Sequence, residues 1–441
     1  MTRRILPLAF AFQLLLTDIA LAQAGGGSSS FGGGGGGGGG FSGGSGSSGS
    51  GSSGGDPIVA AIFFGIFGLV VVWLLVKSFR YRRKVNRRVK QVERASAEAA
   101  EDDSYFAVDQ IETEGEALFR ACQVAWDRRD RRELTRLVGE DLMVEWKRRL
   151  DDFDNKGWHN RVEVIGEPEI QCVGLTNLED DTEDRVVIRI GASLKSYVLT
   201  KSGQKIQRKG KSSDTVSLTE YWTMARRDGR WKVVSIEQKS EGDHLLDAEI
   251  VASPWAGQRL ADEALTEVAV ADKLPEGFKT ADLADFAFED DARAKALDLS
   301  LADARFGPDL LEAGARRAVE AWSEAVDGED APLERVASRD AIDQLLYPGD
   351  SSRKTRLVVR GAGVKQIRIV AVDVEHEPAT MTVEVELAGR RYVEDRDTAA
   401  VLSGSKDSAT TFTERWTLAL AGPDDAPWQL VAAGSPPVRA A

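Results

Sequence analysis

Residues 217–231 read SLTEYWTMARRDGRW, and residues 411–428 read TFTERWTLALAGPDDAPW. Both carry Thr-Glu-x-Trp-Thr, then a long apolar residue, then a turn and a second Trp. The echo extends well beyond these stretches. Trp126 is followed by Tyr197 and Trp222, and Trp322 by Tyr392 and Trp416, at intervals that agree to within two residues. Landmarks matched over such distances argue for two copies of one domain. A duplicated unit restricts the possible architectures more than any other feature of the chain.

Each copy shows the same order of periodicities. The first opens with an apolar helical stripe at Leu118, Cys122 and Trp126, the second with Leu311, Ala315, Val319, Trp322 and Val326. A second stripe follows at Leu142, Trp146, Leu150 and Phe153; its counterpart, RDAIDQLL, is shorter. Strand patterns then take over. Residues 161–175 match 363–376, and residues 184–199 match 379–393, the latter pair alternating with period two. The quoted segments close each copy as a hairpin, with Asp228-Gly229 as a tight turn in the first. Helices followed by an antiparallel meander predict an α+β fold, helices lying on one face of a curved sheet. The tryptophans of both copies are expected in the cores. Residues 111–240 and 309–435 are the two expected domains. Residues 241–308, rich in Ala, Asp, Leu and Glu, are expected to form a partly helical connector.

The N-terminal quarter is of another kind. Arg3 and Arg4, the apolar run from Ile5 to Leu16, and Ala22-Gln23-Ala24 have the form of a secretory signal peptide over 1–24. Residues 25–56 are almost wholly Gly and Ser, which bury little and lose much entropy on ordering, so this stretch is expected to be without structure. Phe31 and Phe41 are its only large apolar residues and are taken as incidental to it. From Ile58 to Val76 there is no charge. Nineteen helical residues reach about 28 Å, the thickness of a bilayer core, so 57–76 is a predicted transmembrane helix. Lys77, Arg80, Arg82, Arg83, Lys84, Arg87, Arg88 and Lys90 follow at once, in a stem and linker over 77–110. No Lys or Arg lies between the signal and the span. The positive-inside rule therefore expects a single pass through a bacterial inner membrane, with the Gly/Ser stretch outside and residues 77–441 in the cytoplasm. The eight basic residues are the candidate contacts for anionic headgroups.

Charge and cysteine usage narrow the function classes. Residues 1–90 hold ten basic and two acidic residues, a net +8, which leaves −22 of the total −14 to the remainder. So acidic a body disfavours nucleic acid as a partner. Cys122 and Cys172, fifty residues apart, form no metal-ligand spacing and no disulfide framework, and fit a cytoplasmic body. No phosphate-binding loop, dinucleotide fingerprint, nucleophile elbow or zinc spacing is present, so no cofactor, metal or catalytic residue is expected. His159, His244 and His376 do not recur at equivalent places and are read as surface or capping groups.

The helices, then Leu218-Thr219-Glu220-x-Trp222-Thr223-Met224, Arg226 or Arg227, and Trp231-Lys232-Val233, resemble the Tim44-like domain family. Residues 309–433 carry the resemblance through Thr413-Glu414-x-Trp416-Thr417-Leu418 and Trp428-Gln429-Leu430. The order of signal, Gly-rich stretch, span and basic stem is similar to that of bacterial members. The resemblance implies two tandem cones of the nuclear-transport-factor-2-like superfamily and protein docking at a membrane.

Two further sets of residues are candidates. Glu220 and Glu414 lie on the apolar face of their strands, each where a buried carboxylate could serve a cavity in the cone as a general base. The structural alternative pairs them with an Arg of the second helix, such as Arg148 or Arg149, or leaves them at the open rim of the cone. Lys201, Lys205, Arg208, Lys209 and Lys211 form a basic loop on the acidic body, a candidate docking patch for an acidic partner. The expected function is a membrane-anchored adaptor whose tandem domains dock proteins, in connection with protein transport. The alternatives are a pocket-based small-molecule or lipid binder, or isomerase-like enzyme, using the cone cavity, and a purely structural envelope protein.

Overall fold

The computed structural model describes residues 24–26, 28–31, 57–208, 213–253, 284–375, 377–423 and 426–434; of 57–67 and 102 it describes the backbone alone. Residues 1–23 of the predicted signal peptide, Phe41, Lys209, Lys211 and His376 lie outside the described residues.

In the first half, helix α1 (Pro57–Asp102) runs without a break from the predicted span through the basic stem. It is followed by α2 (Val108–Arg128), α3 (Arg131–Leu137) and α4 (Glu140–Lys156). The strands are β1 (Trp158–Thr176), β2 (Arg185–Thr200), β3 (Lys205–Ile206), β4 (Thr215–Arg227) and β5 (Arg230–Gln238). They form an antiparallel sheet in the order β1-β2-β4-β5, with β3 on the end of β2. Asp228 and Gly229 both take positive φ, 54° and 71°, as a tight two-residue hairpin requires.

The second half repeats this order. Its elements are β6 (Asp285–Phe288), α5 (Asp290–Ser300), α6 (Pro308–Asp327), α7 (Ala331–Glu334), α8 (Arg339–Leu346), β7 (Thr355–Asp373), β8 (Thr380–Asp395), β9 (Ala400–Gly404), β10 (Thr410–Leu420) and β11 (Trp428–Gly434). The sheet order is β11-β10-β8-β7-β6, with β9 on β8 and β6 parallel to β7. The duplication is exposed by register: Trp222 lies opposite Ile188, and Trp416 opposite Val383. The fold is thus α+β, two tandem cones of helices over a curved sheet.

The tryptophans fill the cores as expected. Trp126, Trp146 and Trp222 are buried in the first half, Trp322, Trp416 and Trp428 in the second. Trp126 meets Trp146 edge-on at 5.5 Å, and Phe119 lies 5.3 Å from Trp222. Trp322 and Trp416 are 5.7 Å apart.

Three expectations need correction. Part of the 241–308 stretch belongs to the second cone: β6 joins its sheet, and Ala292, Ala296 and Phe306 are buried in its core. The turn Asp303–Phe306 mirrors Asp103–Phe106, each Asp side chain accepting the N–H two residues on. The stem is no free linker either. Val85 packs with Val173, Tyr221 and Leu246, while Val92 and Ala99 enter the first core. Finally, the Gly/Ser stretch is ordered where it is described. Ala24, Ser28 and Phe31 are buried against the first cone, so Phe31 is not incidental.

Among the described residues no helix is long and apolar enough to cross a membrane. The side chains of 57–67, half of the predicted span, lie outside the described residues.

Candidate functional site

The repeated Glu-x-Trp is a local hydrogen-bonded unit. Residues i and i+2 of a strand share a face, so each carboxylate lies beside its own indole. The Trp222 Nε1–H donates to Glu220 Oε2 at 3.0 Å, and Trp416 Nε1–H to Glu414 Oε2 at 3.1 Å. Burial raises the Glu414 pKa, opposed by the Trp416 bond and by Arg391, 3.8 Å away. Neither Glu pairs with Arg148 or Arg149, as the structural alternative supposed. Those arginines point out of the first cone and bind the second: Arg148 pairs with Asp397 and Arg149 with Glu394, both at 2.8 Å.

These two pairs belong to a charged seam between the halves. Arg396 reaches back to Glu145 at 2.6 Å. The Tyr392 hydroxyl donates to Glu241 at 2.7 Å, and Lys406 sits 2.8 Å from Glu394 and 3.5 Å from Glu241. Arg360 of β7 donates to Ser235 of β5 at 3.1 Å and to Asp327 at 2.7 Å, with Glu237 at 3.9 Å. Burial works to raise Glu394, but Lys406 and Arg149 outweigh it and hold its carboxyl down at about 2. Burial works to lower Arg360, but Asp327 and Glu237 outweigh that and keep it charged. Glu237 is pushed well up, by burial first and by Asp327 second.

His244 was expected to be a surface or capping group. Its Nδ1 lies 2.8 Å from the Glu241 carbonyl oxygen, and its ring sits 3.6 Å from both Glu237 and Asp327. Those three side chains are close enough to share a metal ion. The Arg360 guanidinium already lies against both carboxylates, which gives them a cation without one.

A cavity of about 140 Å³ opens along the seam, bordered by Trp146, Arg149, Glu241, Tyr392, Glu394 and Lys406. Ala24, Gly25 and Gly26 also line it. Gln123 Oε1 accepts the Ala24 N–H at 2.9 Å, and the Arg149 guanidinium donates to the Gly25 carbonyl oxygen. Ser28 bonds to Asp152 and takes Lys156 Nζ at 2.6 Å. The Ser29 N–H donates to Thr398 of the second half at 3.2 Å. Phe31 stands edge-on to Phe153 at 6.3 Å and forms an isolated antiparallel bridge with Arg208.

The basic candidates divide. On α1, Lys77, Arg80, Arg82, Arg83, Arg87 and Lys90 are exposed. Lys84 pairs with Asp247 at 2.5 Å. Arg88 is buried and donates to the Val173 carbonyl oxygen at 2.7 Å, so it is a packing residue rather than a headgroup contact. In the loop, Lys201 is exposed, Lys205 pairs with Asp214, and Arg208 is buried over the Phe31 ring. That loop does not present five free cations to a partner. His159 binds the Asp127 carbonyl oxygen at 2.7 Å, a structural contact.

Sequence reasoning missed the seam and the seated N-terminal segment. Ion pairs between halves leave no periodic mark. One sign was available for the segment: helix α4 places Arg149 and Lys156 on the same face as Trp146 and Phe153, beside the core stripe of Leu142, Trp146, Leu150 and Phe153.

The family model of the Tim44-like domain matches residues 92–238 and 294–435. No curated protein sequence matches the chain. Among solved structures, the intermembrane space region of the chloroplast protein ARC6 is 10% identical, covering 29% of this chain and 95% of its own, with a TM-score of 0.22. An NTF2-like protein involved in plasmid conjugation is 10% identical, covering 74% of this chain and 97% of its own, with a TM-score of 0.18.

Proposed function

Because the chain belongs to the Tim44-like domain family, with two cones of the nuclear-transport-factor-2-like kind, we propose that it is a single-span membrane adaptor that docks proteins at the inner face of a bacterial membrane, in connection with protein transport. The observation that carries this reading is the continuity of α1. One helix, Pro57–Asp102, begins in the uncharged run and ends in the first core. Val85 is nine residues beyond Val76, about 13 Å along a helix. The span, the basic face and the first cone would therefore move as one rod, with the cone roughly a Debye length from the headgroups. Six exposed cations on that rod can meet anionic lipid, while the acidic body is repelled from the same surface. Tethering raises the effective concentration of docked partners and needs no catalytic residue.

The isomerase-like alternative loses its main support, since Glu220 and Glu414 each accept an indole N–H from their own strand. No catalytic role is proposed for either, and no cofactor or nucleic-acid partner.

The test is photocrosslinking in intact membranes, comparing the full chain with a form lacking 309–441 and with a control bearing residues 1–110 alone. The reading expects defined protein adducts of the full chain that the control does not form. Adducts no different from those of the control would overturn it.

A further inference from the structure

We propose that the groove between helix α4 and the second cone is a peptide-binding site, specific for a glycine-led, serine-containing turn that ends in phenylalanine. The chain's own residues 24–26 and 28–31 show how such a ligand sits.

The recognition has two parts. The main chain of the ligand is held irrespective of side chain: the Ala24 N–H by Gln123, the Gly25 carbonyl by Arg149 and the Ser29 N–H by Thr398. Such bonds give affinity without sequence preference. Specificity comes from two positions. Gly25 has a φ of +86°, and a Cβ there would lie 2.3 Å from Trp146 Nε1, inside the buried indole, so both its conformation and its space require glycine. Phe31 is 3% exposed, its ring edge-on to Phe153 and beneath the Arg208 guanidinium at 6.0 Å. Between them, Ser28 is held by Asp152 and Lys156.

The groove's own polar groups point to a ligand as well. Arg208 is 6% exposed, its Nε and Nη1 have no hydrogen-bond partner among the described residues, and its guanidinium lies 6.0 Å from the Phe31 ring. Burial lowers its pKa to about 10. The Gln123 Nε2 is likewise buried without a partner among the described residues. A groove built only to pack the fold would be expected to satisfy these groups internally.

The membrane reading determines when the groove is open, and only that part of the inference rests on it. A span over 58–76 with the body on its basic side carries residues 25–56 across the bilayer. Residues 24–31 can then fill the groove only before insertion. Once they have crossed, the groove is free for a partner segment of the same chemistry.

The experiment is a fluorescence anisotropy titration with the labelled peptide of residues 23–32, QAGGGSSSFG. It uses the full chain in lipid nanodiscs and a second full chain carrying Gly25→Val and Phe31→Ala, which cannot fill its own groove. Saturable binding to both chains is expected; binding to the second chain alone would keep the peptide preference and overturn the part that has insertion free the groove. Peptides with valine at the Gly25 position or alanine at the Phe31 position should each bind at least about tenfold more weakly. No saturable binding to either chain, with the native circular dichroism retained, overturns the proposal. Equal binding of all three peptides also overturns it. A body found on the outer side of the membrane would remove the adaptor reading but leave this peptide preference standing, so the two fail separately.

Discussion

Glu220 accepts the indole N–H of Trp222 from two positions earlier on the same strand, and the second cone repeats the bond at Glu414 and Trp416. This explains why Thr-Glu-x-Trp-Thr occurs twice. Burial deprives an indole N–H of water, and at Trp222 and Trp416 the neighbouring strand position supplies the acceptor, whereas Trp231 and Trp322 have none among the described residues.

The first prediction follows from that bond. Glu220→Gln keeps a carbonyl oxygen for the indole and should cost less than about 1 kcal/mol. Glu220→Leu leaves the Trp222 N–H buried without its acceptor and should cost about 1–3 kcal/mol. Urea denaturation of the two variants checks this. Equal stability of both would show that the hydrogen bond contributes nothing.

The seam supplies the second. Arg360→Met strips the cation from between Glu237 and Asp327, which are held against it from opposite halves. Removing one partner of a buried ionic network costs about 3–5 kcal/mol. Differential scanning calorimetry should show the loss, with the two cones melting as separate transitions. A single transition at the wild-type temperature would contradict it.

Acid should open the same seam. Glu394 is held down at about 2 in the folded chain, against an ordinary value of 4.5. Its folded pKa is depressed, so its contribution is complete above about 4.5 and is lost as pH falls through that range towards 2. The groups facing it are Lys406, Arg149 and Arg360. Proton uptake measured by calorimetric titration over this window should fall on substitution Glu394→Gln. An unchanged uptake would mean that another carboxylate governs acid sensitivity.

The thiols give a fourth. Cys122 and Cys172 are both buried and free, and burial pushes the Cys172 thiol up to about 12. Cys122 is raised further by the same cause. Neither should react with a maleimide in the folded chain, and both should react after denaturation. Fast labelling of the native protein, followed by mass spectrometry, would refute this.

What could be read from the sequence tracks what is local. Strand β2 alternates between buried and more exposed positions from Arg185 to Leu199, and β8 does so from Thr380 to Arg390, and that alternation is visible in the residues. Helix α5 falls in the stretch expected to be partly helical, but its packing into the second core was missed because its packing face uses Ala292 and Ala296, which are too small to mark a stripe. The shared Asp-x-x-Phe of residues 103–106 and 303–306 would have located it. The ion pairs of the seam join residues far apart in the chain, such as Glu145 and Arg396, and no spacing rule reaches them. Composition made residues 25–56 look structureless, because it counts what Gly and Ser bury themselves. It does not count Arg149, which binds the Gly25 carbonyl oxygen, or Asp152 and Lys156, which hold Ser28.

The placement of the body is tested most directly by protease added to sealed cells and to inverted membrane vesicles, followed by immunoblotting of the C-terminal half. Residues 77–441 should survive intact in the cells and be cut in the vesicles. Digestion in sealed cells with protection in the vesicles would contradict the membrane-adaptor reading.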